Sequence, residues 1–205
     1  IVAAIDARRG ELFYAFYRQV PGGVTRVSEH RVGSPDDLAS ELLAMGEECL
    51  LVGDGAIVTW LADRRAVGLA AYQLGVLERA LELTAGYART REQFDRPIGS
   101  FQAVAQRLAD GYIDIKGLRL TVDQAAWRLS EDLPAGNEVA TAAFWAADAG
   151  HRVAHTAVHV HGGVGIDMDH PVHRYFITAK QTEFALGGAT AALRAIGRDL
   201  AATPA

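Results

Sequence analysis

The sequence predicts a mostly α protein, an antiparallel four-helix-type bundle preceded by a small α+β segment. Three observations predict it. Before about position 55 the apolar residues come in short, aromatic-rich runs between turn signals, the grammar of strands. From about Ile57 they repeat every three or four residues over long stretches, the period of one helix face. Short glycine and proline breaks separate those stretches, which folds successive helices back alongside one another. Residues 1–55 and 56–205 therefore read as two segments.

The elements follow in order. Ile1 to Ile5 is a short apolar run, and Glu11 to Tyr17 is an aromatic strand. Pro21-Gly22-Gly23 turns the chain, and Val24 to Glu29 returns it as a hairpin. Ser34 caps a helix, with Pro35 at its first position and Asp36 and Asp37 at the positive end of its dipole. That helix ends near Met45-Gly46. Cys49 to Val52 reads as a buried strand closed by Gly53-Asp54-Gly55. Leu74, Leu77 and Leu81 then mark the face of a long helix. Val104, Leu108, Tyr112, Ile115, Leu118, Val122, Ala125 and Leu129 form the stripe of a second. Pro134-Ala135-Gly136 breaks it. A third helix, Glu138 to about Val160, is alanine-rich and suited to close packing. Gly162-Gly163-Val164-Gly165 stops that one, Pro171 opens a fourth, and Gly187-Gly188 separates it from a last helix ending near Leu200.

Composition limits the function. Half the residues are hydrophobic and 22% are charged, which excludes a disordered chain. A net charge of -5 gives no general attraction to nucleic acid or membrane surfaces, so neither is expected as a partner. The single cysteine, Cys49, excludes an internal disulfide framework and any zinc site of several thiolates. Apolar stretches are interrupted too often to span a bilayer. The chain begins at Ile1 with no basic-then-apolar leader, and reads as a cytoplasmic protein or a fragment of one.

Arg91-Glu92-Gln93-Phe94-Asp95-Arg96-Pro97-Ile98-Gly99-Ser100-Phe101-Gln102 ends one long helix and starts the next. Read plainly it is a helix–loop–helix corner, with Ser100 as cap and Phe94 and Phe101 plugging the bundle end. It also resembles the Arg-x-x-Phe…Gln signature of the acyl-CoA dehydrogenase family. Tyr72-Gln73-Leu74-Gly75, Tyr87-Ala88 and the later His161-Gly162-Gly163-Val164-Gly165 fall where that family has matching blocks. The resemblance covers about residues 56–205, the family's C-terminal helical domain.

The resemblance implies FAD, shared with a partner subunit and lost from the isolated chain. Arg91 would pair with the pyrophosphate, for which a forked, permanently charged guanidinium is suited. Phe94 would pack by the adenosine and Gln102 would add a polar contact. Gly163 and Gly165 would let backbone approach the cofactor, and His159 stands where the family often has glutamine. Implied partners are other acyl-CoA dehydrogenase subunits, in a homo- or hetero-oligomer, and an electron-transfer flavoprotein or similar acceptor.

The catalytic position departs from the family. Its members remove the α-proton with a glutamate, commonly in Glu-Gly-Thr before the last helix, while the flavin accepts the β-hydride. The matching residues here are Gly187-Gly188-Ala189, which supply no base. Asp63 on the first long helix is a weak substitute, close to where some members carry the glutamate. No catalytic residue is therefore expected. The pattern resembles the non-catalytic subunits of heteromeric acyl-CoA dehydrogenases acting on steroid side-chain thioesters.

Six of seven histidines lie between His151 and His173, and His151, His155 and His159 are four apart on one helix face. That spacing can bind a transition metal. With no cysteine in that stretch and no His-Glu-x-x-His spacing, a subunit interface or a phosphate contact is the expectation instead, and no metal. Separately, Ala4 to Phe13 and Leu51 to Gly55 resemble the TsaB-type subunit of the tRNA threonylcarbamoyladenosine machinery. The alternatives to a dehydrogenase component are thus a scaffold of that system or a chimeric, non-functional fusion.

Overall fold

The computed structural model describes residues 1–46 and 49–202. These form two compact units, Ile1–Gly68 and Leu69–Ala205.

In the first unit, β1 (Val2–Arg8) pairs antiparallel with β2 (Glu11–Val20), whose two halves pair antiparallel with β3 (Gly23–Arg26) and β4 (Arg31–Gly33). Helix α1 (Pro35–Met45) then carries the chain across to β5 (Leu51–Gly53), which lies parallel to β1. A capping box starts α1: the Asp37 backbone N–H donates to Ser34 Oγ at 3.1 Å, and the Ser34 N–H donates to the Asp37 carboxylate at 3.0 Å. Leu38, Ala39 and Leu42 of α1 cover Val2, Ala4, Leu12, Tyr14 and Phe16 on one sheet face. The expected buried strand at 49–52 is corrected. Leu50 is 61% exposed and Val52 is exposed as well, because their side chains lie off the face that α1 covers.

Helix α2 (Gly55–Thr90) runs from the first unit into the second. A two-stranded hairpin, β6 (Glu92–Gln93) and β7 (Arg96–Pro97), and a 3-10 turn lead to α3 (Gln102–Ser130). Then come α4 (Gly136–His161), a second 3-10 turn at Gly162–Ile166, α5 (Val172–Ala185) and α6 (Gly188–Ala202). Helix α4 is central and packs on α3, α5 and α6. Its alanines at 142, 143, 146, 147, 149, 154 and 157 are all buried, so neighbouring helices approach closely.

At the centre of this second unit sits Gln73 of α2, with no exposed surface. Its Nε2 donates to the Ala146 carbonyl of α4 at 3.2 Å and to the Ala179 carbonyl of α5 at 3.0 Å. Gly150 gives it room: a Cβ there would stand 2.1 Å from Nε2. Outside the core, Arg152 of α4 forks onto Asp114 of α3 with two bonds of 2.8 Å.

Three expectations at the helix level are corrected. Tyr112 is exposed, and Gly111 takes its place in the buried stripe of α3, since a repeat of 3.6 drifts past a strict four-residue step. Ser100 does not cap α3; its hydroxyl donates to the Pro97 carbonyl at 2.7 Å within the 3-10 turn, and Phe101 occupies the cap position. Phe94 plugs nothing, being 86% exposed.

The Gln73 arrangement predicts a contrast between two glycines. Gly150→Ala overpacks the amide and lowers unfolding free energy by about 1–3 kcal/mol. Gly75→Ala, with no atom within 4 Å of its added methyl, is neutral or stabilising. Equal effects of the two in urea denaturation would contradict this account of the core.

Candidate functional site

The corner between α2 and α3 is built from its backbone outward. The Arg91 N–H donates to the Tyr87 carbonyl at 2.9 Å, and the Arg91 carbonyl accepts from the Ile98 N–H at 2.8 Å. Between these anchors the hairpin turns in two residues, Phe94 and Asp95, with φ of 55° and 59°. Two successive left-handed residues match the tight turn that right-twisted strands favour, and Asn-Gly is its usual sequence. Phenylalanine there is strained, by roughly 1–2 kcal/mol. The ring points outward, touching Phe101 edge-on at 6.1 Å, while the Arg96 guanidinium lies over Phe101 at 4.2 Å.

Arg91 is exposed, and among the described residues its guanidinium meets no carboxylate. Gln102, in the first turn of α3, is exposed too. Beside them, a cleft of about 570 Å³ opens between α2 and α3, lined by Ala85, Ala88, Ala105 and Leu108 with Arg89 among its residues.

The glycine turn after α4 meets this corner through aromatic rings. His161 is buried and stacks on Tyr87 with ring centres 4.3 Å apart and planes inclined by 23°. Its Nδ1 lies 2.7 Å from the Ala157 carbonyl, the geometry of a donated hydrogen bond. Burial pushes its pKa below the ordinary histidine value, the carbonyl opposes that, and nearby His170 adds to it. The two glycines differ. Gly163 faces open space, whereas a Cβ on buried Gly165 would stand 2.8 Å from the Val158 carbonyl. Gly165 is thus required by the chain's own packing. His159 is exposed and takes no part in the stack. Sequence spacing singled out His159; the residue that joins the two blocks is His161, and its neighbour Tyr87 was legible only as a family block.

The histidines separate into groups. His151 and His155 lie on another face of α4, with ring centres 4.4 Å apart. His151 Nδ1 is 3.4 Å from the Glu183 carboxylate and 3.0 Å from Lys180 Nζ. Burial, followed by His151 and Lys180, lowers the pKa of His155, while Glu183 opposes. Among the described residues no three His, Cys, Asp or Glu side chains are grouped to hold a metal ion.

The "Acyl-CoA dehydrogenase, C-terminal domain" family matches residues 53–201. The chain belongs to the acyl-CoA dehydrogenase family. It is 69% identical over 162 residues to acyl-CoA dehydrogenase FadE27 of Mycobacterium tuberculosis, covering 75% of this chain and 43% of that protein. The ChsE4-ChsE5 complex of Mycobacterium tuberculosis superposes with a TM-score of 0.75 and 46% identity, over 100% of this chain and 64% of the matched one. A steroid acyl-CoA dehydrogenase variant, Tcur3481-Tcur3483, gives 0.72 and 29%, over 98% and 62%. This chain spans less than two thirds of each. The superposition on ChsE4-ChsE5 takes in residues 1–55, and none of these relatives supports the likeness of that segment to a TsaB-type subunit.

Gly187, the residue that the sequence resemblance sets against the family's base, has φ of +80° and is followed by Gly188 at +78°. The nearest acidic residue along α5, Glu183, is held by Lys180 at 2.5 Å. Asp63 lies half-buried in the first unit, where burial raises its pKa and Arg64 opposes the shift.

The strained turn yields a measurable contrast. At position 94, with its φ of 55°, Phe94→Gly is more stable than Phe94→Ala by about 1 kcal/mol, the reverse of the helix order. Alanine equal to or better than glycine would refute the left-handed turn.

Proposed function

We propose that the chain is the C-terminal bundle of a flavin-dependent acyl-CoA dehydrogenase subunit, contributing FAD and subunit contacts and not the catalytic base. The observation that carries this reading is the corner itself: an exposed Arg91 that meets no carboxylate among the described residues, one helical turn beyond the Tyr87–His161 stack. The residues fit a dinucleotide. A free guanidinium matches pyrophosphate oxygens, Phe94 offers an exposed ring held by Phe101, Gln102 adds an amide, and open Gly163 leaves backbone approachable. His159, exposed one turn before the glycines, can add a polar contact. FAD, when bound, supplies the acceptor for the substrate β-hydride; Arg91, Gln102 and the glycine turn bind and orient its phosphate half.

Two features support a base-less role. Gly187 has no side chain to take an α-proton, and its φ of +80° disfavours any L-residue, so the backbone as well as the side chain departs from a glutamate site. Helix α3 also exposes Ile113, Leu120 and Trp127 at seven-residue intervals, an apolar stripe suited to a neighbouring acyl-CoA dehydrogenase subunit. The likeness to the ChsE4-ChsE5 complex and to the steroid acyl-CoA dehydrogenase Tcur3481-Tcur3483 supports a glutamate-bearing partner and a steroid thioester substrate for the assembly. Electrons would leave such a complex to an electron-transfer flavoprotein or similar acceptor. Among the described residues no helix is long and apolar enough to cross a membrane.

Co-expression with a glutamate-bearing dehydrogenase subunit tests the reading. The isolated chain purifies colourless, because half a site leaves binding entropy uncompensated. The complex is yellow, and Arg91→Ala lowers FAD per complex by about tenfold or more, the loss of roughly 1.5–3 kcal/mol for a charged hydrogen bond. Gly187→Glu creates no activity in the chain alone. Stoichiometric flavin in the isolated chain, or turnover by it, overturns the proposal and directs attention to Asp63 as base.

A further inference from the structure

We propose that His161 is a positioning residue: its neutral ring clamps the Gly162–Ile166 turn to the Arg91 end of α2, making two separate blocks one dinucleotide-binding surface. The inference rests on the reading that these blocks bind FAD, and it adds a dependence on acidity that the reading does not contain.

The geometry carries it. Tyr87 lies one turn before Arg91, and Gly162 follows His161 directly, so the 4.3 Å ring stack is a short mechanical path between the blocks. The ring is fixed from its other side too. Nδ1 is engaged by the Ala157 carbonyl at 2.7 Å, and the Gly165 backbone packs so closely that a Cβ there would stand 3.1 Å from His161 Cβ. An imidazole so held has no freedom to turn toward water.

Among the described residues, the groups facing the ring do little to stabilise a charge. From α2 comes the Tyr87 ring, and from the loop before α5 comes His170, with centres 5.1 Å from His161. Behind it, His173 Nδ1 is 2.6 Å from the His170 carbonyl, and His170 Nδ1 accepts from the Val172 N–H at 3.3 Å. From α4 the Ala157 carbonyl faces it. Burial and His170 both disfavour the imidazolium, and the carbonyl only partly offsets them. The folded pKa therefore lies below the unfolded value near 6.5. The unfolded chain takes up the proton first, so the stack is at full strength above about pH 6.5 and weakens as pH falls toward the folded pKa. His155 shifts in the same direction but lies on the other face with Lys180 and Glu183, and serves as the control.

Two readouts test the clamp. In the isolated chain, ring-proton NMR follows His161: it titrates below the ordinary histidine value, and Tyr87→Ala raises it toward that value. In the complex with a glutamate-bearing subunit, the FAD dissociation constant is measured by flavin fluorescence from pH 7.5 to 5. Wild type and His155→Gln weaken on acidification, approaching about tenfold per pH unit once His161 is protonated in the free protein. His161→Phe, which keeps a ring but no titrating nitrogen, loses that dependence. His161→Ala is weak already at pH 7.5 while its far-UV spectrum stays helical. A flat wild-type profile, a pH slope retained in His161→Phe, or a His161 that titrates at or above the ordinary histidine value overturns the proposal. Absence of FAD from the wild-type complex at pH 7.5 overturns the functional reading and this inference with it. It is distinguished from failure of the clamp alone by the NMR titration, which needs no flavin.

Discussion

The amide of Gln73 is the interaction on which the bundle depends. One buried side chain, donating to carbonyls on both α4 and α5, fixes the relation of three helices at their closest approach. Apolar packing alone tolerates sliding, since alanine faces are smooth and interchangeable. A hydrogen bond to a particular carbonyl does not. Among the described residues its buried Oε1 has no partner, so the amide is held by its donors, and desolvating that oxygen costs about 1–3 kcal/mol. The alanines of α4 and the bare Gly150 make that contact sterically possible.

What the register achieves is placement of ends. Tyr87 lies about four turns along α2 from Gln73, and His161 about four turns along α4 from Ala146. With the helices pinned near their middles, these two rings arrive in contact. Arg91 and the glycine turn then follow on either side. The strain in the Phe94–Asp95 turn is affordable only on such a scaffold, because the anchors at Arg91 and Phe101 are themselves fixed by α2 and α3. A strained, outward-facing aromatic beside an exposed arginine is poorly explained by stability and well explained by binding.

Much of this was legible in the sequence. Ser34-Pro35-Asp36-Asp37 specified the start of α1 because capping is local chemistry, and the structure shows the capping box. The glycine and proline breaks located the helix ends for the same reason. The family blocks at Arg91 and Gly162 were visible as motifs. The failures were of other kinds. Tyr112 and Gly111 differ by one position, and only packing against Leu81 and Val153 decides which faces inward. Exposure of Phe94 follows from two positive φ values that no residue pattern predicts for phenylalanine. His161 was overlooked for His159 because its partner Tyr87 is 74 residues away, a separation that periodicity cannot bridge.

The central claim is that two segments far apart in sequence form one surface for the phosphate half of a dinucleotide. Amide hydrogen exchange on the chain, alone and in complex with a glutamate-bearing subunit loaded with or stripped of FAD, tests it most directly. Loading with FAD should slow exchange in both 91–102 and 162–166, while the strands at 11–26 remain unchanged between the two complexes. Protection confined to one of those segments, or appearing in neither, would contradict the account.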